Sequence, residues 1–300
     1  MSTSSISVAR ERLGAMARVA DYVELTKPKI SALVLVTVAV SGFVARWGTI
    51  EPILLLNTIV GAILIAASAS AFNQWLERDS DSLMQRTANR PLPAGRLSET
   101  EVLCFACAAI VFGLIYLLLT TNLTTAILGL ATWLLYVWVY TPLKSRTHLN
   151  TAVGAIAGAL PVLMGWPATG AAFDVRALAL FTIVFLWQFP HFMAIAWLYR
   201  KQYERGGMKM LSVVDPSGRR AGVQAVLAAL ALLPVSFVPG LLAPGAVVYV
   251  LVAFCLGVAQ LICAAIFLAK LDESAARLLL RASLVYLPLL LTMLMILPFV

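Results

Sequence analysis

Nine apolar stretches, most of them long enough to cross a bilayer, follow one another along this chain. They lie near residues 30–47, 53–76, 102–120, 123–141, 150–167, 176–199, 221–239, 245–269 and 279–299. A crossing helix needs roughly 20 apolar residues, and the lipid interior demands that every backbone polar group be satisfied within the protein. The pattern predicts an all-α, polytopic membrane protein folded as a nine-helix bundle. Of its 300 residues, 61% are hydrophobic and only 12% charged, which excludes a soluble domain with a polar surface. No connection is long enough for a further folded unit. The chain therefore divides into an N-terminal segment, 1–28, and one membrane domain, 29–300. Residues 1–9 read as disordered. Residues 10–25 mix charges with Leu13, Met16, Val19 and Val23, as an interfacial amphipathic helix does. No cleavable signal-peptide pattern is visible.

The net charge of +8 does not point to nucleic acid, because the basic residues cluster at the ends of the apolar stretches rather than along one face. Twenty of the 22 Lys and Arg residues fall on one side of the predicted bundle, and only Arg46 and Arg176 on the other. Basic loops mark the cytoplasmic side. The chain is thus expected in an inner or plasma membrane, multi-pass, with a cytoplasmic N-terminus and an external C-terminus. The four cysteines lie in apolar runs, and Cys104 and Cys107 have no partner ligands nearby in sequence, so they read as membrane-helix residues.

Most of the chemistry is concentrated in residues 73–96, NQWLERDSDSLMQRTANRPLPAGR, between the second and third stretches on the basic side. Asn73, Glu77 and Asp81 are spaced i, i+4, i+8, which on a helix advances only about 40° per step. One amide and two carboxylates then share a stripe, with Arg78, Arg86, Arg90 and Arg96 close by. Oxygen ligands of this kind suit Mg2+, and guanidinium forks suit phosphate. A salt-bridged loop at the membrane edge is the bland alternative. Asp79, about 160° from Glu77 on a continuing helix, joins the stripe only if the helix ends there. Further along, Tyr140 and Lys144 read either as a belt and a basic anchor or as the lining and point charge of an anion site. Gln188 and His191, i and i+3 within the sixth stretch and flanking Pro190, form a polar pair facing the bundle interior. Gly154, Gly158 and Gly165 in the short fifth stretch permit close approach of neighbouring backbones.

The run Asn73-x-x-x-Glu77-x-x-x-Asp81, Arg86-Thr87, Asn89-Arg90-Pro91-Leu92-Pro93 and Gly95-Arg96 resembles the first aspartate-rich motif of the UbiA-type intramembrane prenyltransferases, with Glu77 where most members carry Asp. Asp79, Leu25-Thr26-Lys27-Pro28, the 140–154 segment and Trp187-x-x-Pro190-His191-Phe192 are similar to the branch that farnesylates protohaem IX, the haem O synthases. This resemblance implies a UbiA-type bundle that transfers farnesyl from farnesyl diphosphate to a vinyl group of haem B, with Mg2+ on Asn73, Glu77 and Asp81. It implies catalytic roles for those three and Lys144. Substrate binding falls to Arg86, Arg90, Tyr140, Gln188, His191, Arg200, Lys201 and Tyr203, with His191 as iron ligand or propionate partner. A haem A synthase or an oxidase-assembly factor is the implied partner, and the lipid bilayer the medium. One departure concerns the second acidic motif. Gln202-Tyr203 stands where an Asp-Tyr is usual, leaving Glu204 and Asp215 as the only carboxylates there. Prenylation of an aromatic acid or quinone precursor is the alternative within the family. A transporter is the alternative outside it, though no internal repeat supports that reading.

Overall fold

The structure is a computed structural model that describes residues 14, 16–47, 49–241, 243 and 245–299. The expectations for residues 1–9, and for residues 10–13 and 15 of the amphipathic segment, lie outside the described residues. Nine helices in the described residues are long and apolar enough to span a membrane: α1 (Pro28–Ala45), α2 (Pro52–Leu76), α3 (Glu99–Thr120), α4 (Leu123–Leu143), α5 (Asn150–Ala168), α6 (Val175–Leu198), α7 (Arg219–Gly240), α8 (Ala246–Lys270) and α9 (Glu273–Phe299). This is a multi-pass membrane protein.

Local chemistry sets where these helices begin. Pro28 and Pro52 open α1 and α2, at positions where a missing N–H costs nothing. Ser98 and Glu101 form a reciprocal capping box on α3, so that helix starts three residues before its apolar run. Asn122, Asp174 and Asp272 accept backbone N–H groups at the starts of α4, α6 and α9. In α4 the ladder widens into a π-helical turn over Leu135–Tyr140, ending two residues before Pro142, which has no N–H to donate.

Consecutive helices pack as neighbours, and α9 returns to touch α1 and α6. At the centre, α5 contacts α1, α2, α4 and α6. It is the most enclosed span, with 67% of its apolar window buried, whereas only 22% of α4's is. Its small residues make that position possible. A Cβ on Gly165 would lie 2.1 Å from the Val38 carbonyl oxygen and 2.9 Å from the Gly42 nitrogen. Both obstacles are α1 backbone, which cannot rotate aside. Gly165→Ala is therefore expected to push α1 from α5 and destabilise the protein by about 1–3 kcal/mol, the usual scale of overpacking. Thermal unfolding in detergent measures this, and an unchanged midpoint would show that the two helices tolerate separation.

The N-terminal helix, residues 16–25, docks on the basic end of the bundle. Arg96 pairs with its Asp21 at 3.0 Å and Glu24 at 2.6 Å, Arg18 pairs with Glu101, and Gln74 donates to the Leu25 carbonyl at 3.0 Å. Arg96 thus fastens this helix rather than facing the Asn73 stripe. Met16, Val19 and Val23 stay exposed.

Candidate active site

Helix α2 ends at Leu76, and Glu77 has φ −100° and ψ 4° before a short helix over Arg78–Ser82. The interruption does not break the register. Glu77 N still donates to Asn73 O at 3.0 Å, and Asp81 N to Glu77 O at 2.7 Å. Asn73, Glu77 and Asp81 consequently keep their common stripe and are all buried. Asp79 does not join them: its side chain is 93% exposed and lies 4.0 Å from Arg78.

Each carboxylate of the stripe faces a cation. Lys144 Nζ lies 2.7 Å from Glu77 Oε1, an ion pair outside hydrogen-bonding alignment, and 4.6 Å from the Tyr140 ring centroid. Arg90 donates to Asp81 Oδ2 at 2.5 Å, while Asp81 Oδ1 has no hydrogen-bond partner although the residue is 1% exposed. Burial pushes the Asp81 carboxyl up; Arg90 opposes the shift and Glu77 adds to it. Burial by itself would lower the Lys144 ammonium, but Glu77 together with Tyr140 and Tyr136 offsets it and the net shift is upward. The π turn in α4 immediately precedes Thr141 and Lys144 and carries Tyr136 and Tyr140, whose ring centroids are 5.3 Å apart.

Lys27 belongs to this cluster and was not singled out by sequence. It sits just before Pro28 in the left-handed region, φ 51°, which is uncommon for a residue other than glycine. Its ammonium bonds Asn73 Oδ1. Burial, then the charges of Arg90 and Lys144, push that ammonium down to about 7. The one available signal was a Lys-Pro pair at the mouth of the first span. Thr141 was missed as well. Its hydroxyl donates to Tyr136 O at 2.9 Å, so it can only accept from Asn73 Nδ2, at 3.1 Å. That fixes the Asn73 amide with its oxygen on the Lys27 side.

The donor set fits Mg2+. It is all oxygen, two carboxylates and an amide, with a buried unpartnered Asp81 oxygen. Among the described residues no group of three or more His, Cys, Asp or Glu side chains is arranged to hold a metal, so further ligands would come from substrate or water. A small cavity of about 210 Å3 lies beside Glu77 and Lys144 and is lined also by Thr141, Pro142 and Met208.

The second polar segment is built differently. Gln202 Oε1 accepts the Arg86 backbone N–H at 3.1 Å, tying the first motif to the short helix Arg200–Arg205. The Arg86 guanidinium lies over Tyr199 and Tyr203 and donates to the Tyr203 hydroxyl at 3.2 Å. Arg200 turns to the Trp197 carbonyl at 2.7 Å and to Glu273 at 3.9 Å, and Lys201 and Glu204 are exposed. Asp215 accepts from Ser217 Oγ and Arg220 N, as a turn and helix cap does. Gln188 and His191 part company: Gln188 Nε2 donates to Ala155 O of α5 at 2.9 Å, while His191 bonds Ser283 of α9. A larger cavity of about 800 Å3 lies between α5, α6 and α7, lined by Phe185, Phe189, Leu227, His148 and Arg220 among others. It contains none of the stripe.

A nine-helix membrane bundle with this amide–carboxylate stripe at one end defines a class of intramembrane prenyltransferase. The UbiA prenyltransferase family matches residues 34–293, and the chain belongs to it. Within that family the chain is similar to proteins named protoheme IX farnesyltransferase. It is 44% identical to that of Solibacter usitatus, over 79% of this chain and 84% of the relative. It is 37% identical to that of Koribacter versatilis, over 99% of both. Among solved structures the fold is similar to a digeranylgeranylglyceryl phosphate synthase, with TM-score 0.76 and 15% identity over 94% of this chain and 99% of that one. It is also similar to a UbiA homolog from Archaeoglobus fulgidus bound to GPP and Mg2+, with TM-score 0.70 and 16% identity over 93% and 100%.

Proposed function

We propose that this chain transfers the farnesyl group of farnesyl diphosphate to a vinyl group of protohaem IX, converting haem B to haem O. The observation that carries this reading is likeness to protoheme IX farnesyltransferases over most of the length of both chains. The buried stripe supplies chemistry suited to it. Diphosphate departs with the electron pair of the carbon–oxygen bond, leaving an allylic cation. The vinyl π pair attacks that cation, and water captures the resulting porphyrin-side cation and loses a proton, giving a hydroxyethylfarnesyl group.

Magnesium held by Asn73, Glu77 and Asp81 would supply Lewis-acid stabilisation of the departing diphosphate. Lys144 and Arg90, paired with Glu77 and Asp81, are the cations nearest to that charge and can turn from carboxylate to phosphate oxygens. Lys27 adds a third basic group beside Asn73. Arg86 and Tyr203 form the outer wall, with Tyr136 and Tyr140 as aromatic lining next to the cation. Arg200 and Lys201 reach diphosphate only by rearranging, and the phosphate role passes mainly to Lys144 and Arg90. Purified protein given haem B, farnesyl diphosphate and magnesium should yield a product heavier than haem B by one farnesyl group and one hydroxyl. Transfer to an aromatic acid instead of haem would overturn the assignment.

The same reading places the stripe and the N-terminus in the cytoplasm and the C-terminus outside, because 20 of 22 basic residues lie on the stripe's side. A reporter that works only outside the cytoplasm is expected to be active when fused after Val300. Activity of a cytoplasm-only reporter at that position would reverse the topology.

A further inference from the structure

The strongest signal outside the stripe is the junction of α6 with α9 at Ser283. This serine is fully buried, and both of its polar groups serve α6. Its carbonyl accepts the Trp187 indole N–H at 2.7 Å, and its hydroxyl lies 2.9 Å from His191 Nδ1. Trp187 and His191, one helical turn apart, stack with centroids 4.8 Å apart and planes at 22°. Ser283 thus holds both members of a stacked pair.

Hydrogen counting decides how the imidazole is protonated. Ser283 Oγ also lies 2.7 Å from Leu280 O. Two oxygens at that distance need a hydrogen between them, and only the serine hydroxyl has one to give. With that hydrogen committed to Leu280, Ser283 Oγ meets His191 as an acceptor. The hydrogen in the 2.9 Å contact must then come from Nδ1. A neutral imidazole carries one N–H, so the lone pair resides on Nε2.

We propose that Ser283 is a positioning residue that locks half-buried His191 in its Nδ1–H tautomer, presenting Nε2 as an iron ligand for the haem substrate rather than as a donor to a propionate. A ligating histidine whose other nitrogen donates to a fixed acceptor is the usual arrangement for metal binding, because the second bond sets ring orientation and ligand basicity. A propionate partner needs the opposite: a donor at the free nitrogen. This inference rests on the proposed haem substrate, and the experiments separate the two.

His191 and His148 are the only histidines. Selective 15N labelling, with a His148→Ala variant for assignment, therefore reads the His191 tautomer directly in the haem-free protein. A pyridine-like Nε2 is expected; a protonated Nε2 with a bare Nδ1 overturns the proposal. Haem B and metal-free protoporphyrin IX share propionates and vinyls but not iron. His191→Ala should weaken haem B binding at least 10-fold, remove the histidine-ligated absorption spectrum, and leave protoporphyrin IX binding unchanged. Equal losses for both porphyrins would make His191 a propionate partner and sink the iron assignment. Ser283→Ala should weaken haem B binding about 10–100-fold, the scale found for such outer partners, with Ser283→Thr restoring it. If Ser283→Ala binds haem B as the parent does while His191→Ala does not, the positioning role is wrong and the haem reading stands. If His191→Ala retains full haem affinity and spectrum, the haem reading of this residue fails even where the tautomer is as assigned.

Discussion

Asp81→Asn is expected to lower farnesyl transfer by about a thousand-fold. The substitution keeps the shape of a buried side chain and removes its full charge, in a site whose task is to stabilise a departing diphosphate. At roughly 1.4 kcal/mol per decade, that loss corresponds to about 4 kcal/mol of transition-state stabilisation. Stability should change little, because Arg90 keeps 22% exposure and can turn its guanidinium to water. Asp215→Asn provides the contrast. Asp215 is half-buried and hydrogen-bonded within its own turn and to the first residues of α7, so its loss should cost no more than about 1 kcal/mol of capping energy. Rates and magnesium dependence measured for both variants side by side test this. Equal damage would make Asp215 a ligand of a second site and overturn the asymmetry.

Lys144→Ala is expected to be the most damaging single loss of a cation. Its side chain is 15% exposed and that of Glu77 9%, and the two lie 2.7 Å apart. Removing one partner strands a buried carboxylate, which costs about 3–5 kcal/mol. The variant should therefore melt lower as well as bind farnesyl diphosphate poorly. Adding Glu77→Gln removes the stranded charge, so the double variant should regain most of the stability and none of the activity. A single variant as stable as the parent would show that Glu77 finds another counterion. The Lys144 ammonium is held above its usual value of 10.5, so the pair's contribution is complete at neutral pH. It is lost only as pH rises through the raised value.

Hydropathy located all nine spans because the bilayer imposes a length and a composition on each of them. It set the starts of α3 and α9 too late. Glu99–Glu101 and Glu273–Leu278 are helical through the Ser98 capping box and the Asp272 cap, and a hydropathy window averages polarity without seeing caps. The i, i+4, i+8 stripe was legible because helical hydrogen bonds carry the register through the break at Glu77. Gln188 and His191 show the limit of the same reasoning. Residues i and i+3 are about 60° apart around a helix, and within a crowded bundle that angle suffices for one to meet α5 and the other α9.

Residue pattern alone therefore determined the class of fold, the distribution of charge between its two ends, and the amide–carboxylate stripe, since each depends on composition or on contacts within one helical register. Tertiary structure decided which cations serve that stripe. Lys27 reaches Asn73 across 46 residues, Lys144 arrives after a π turn, and Arg200 is diverted to Glu273. It also decided the tautomer of His191, through a serine 92 residues away. Charge and hydrogen-bond pairing between helices depend on where separate spans come to lie side by side, and no local periodicity encodes that.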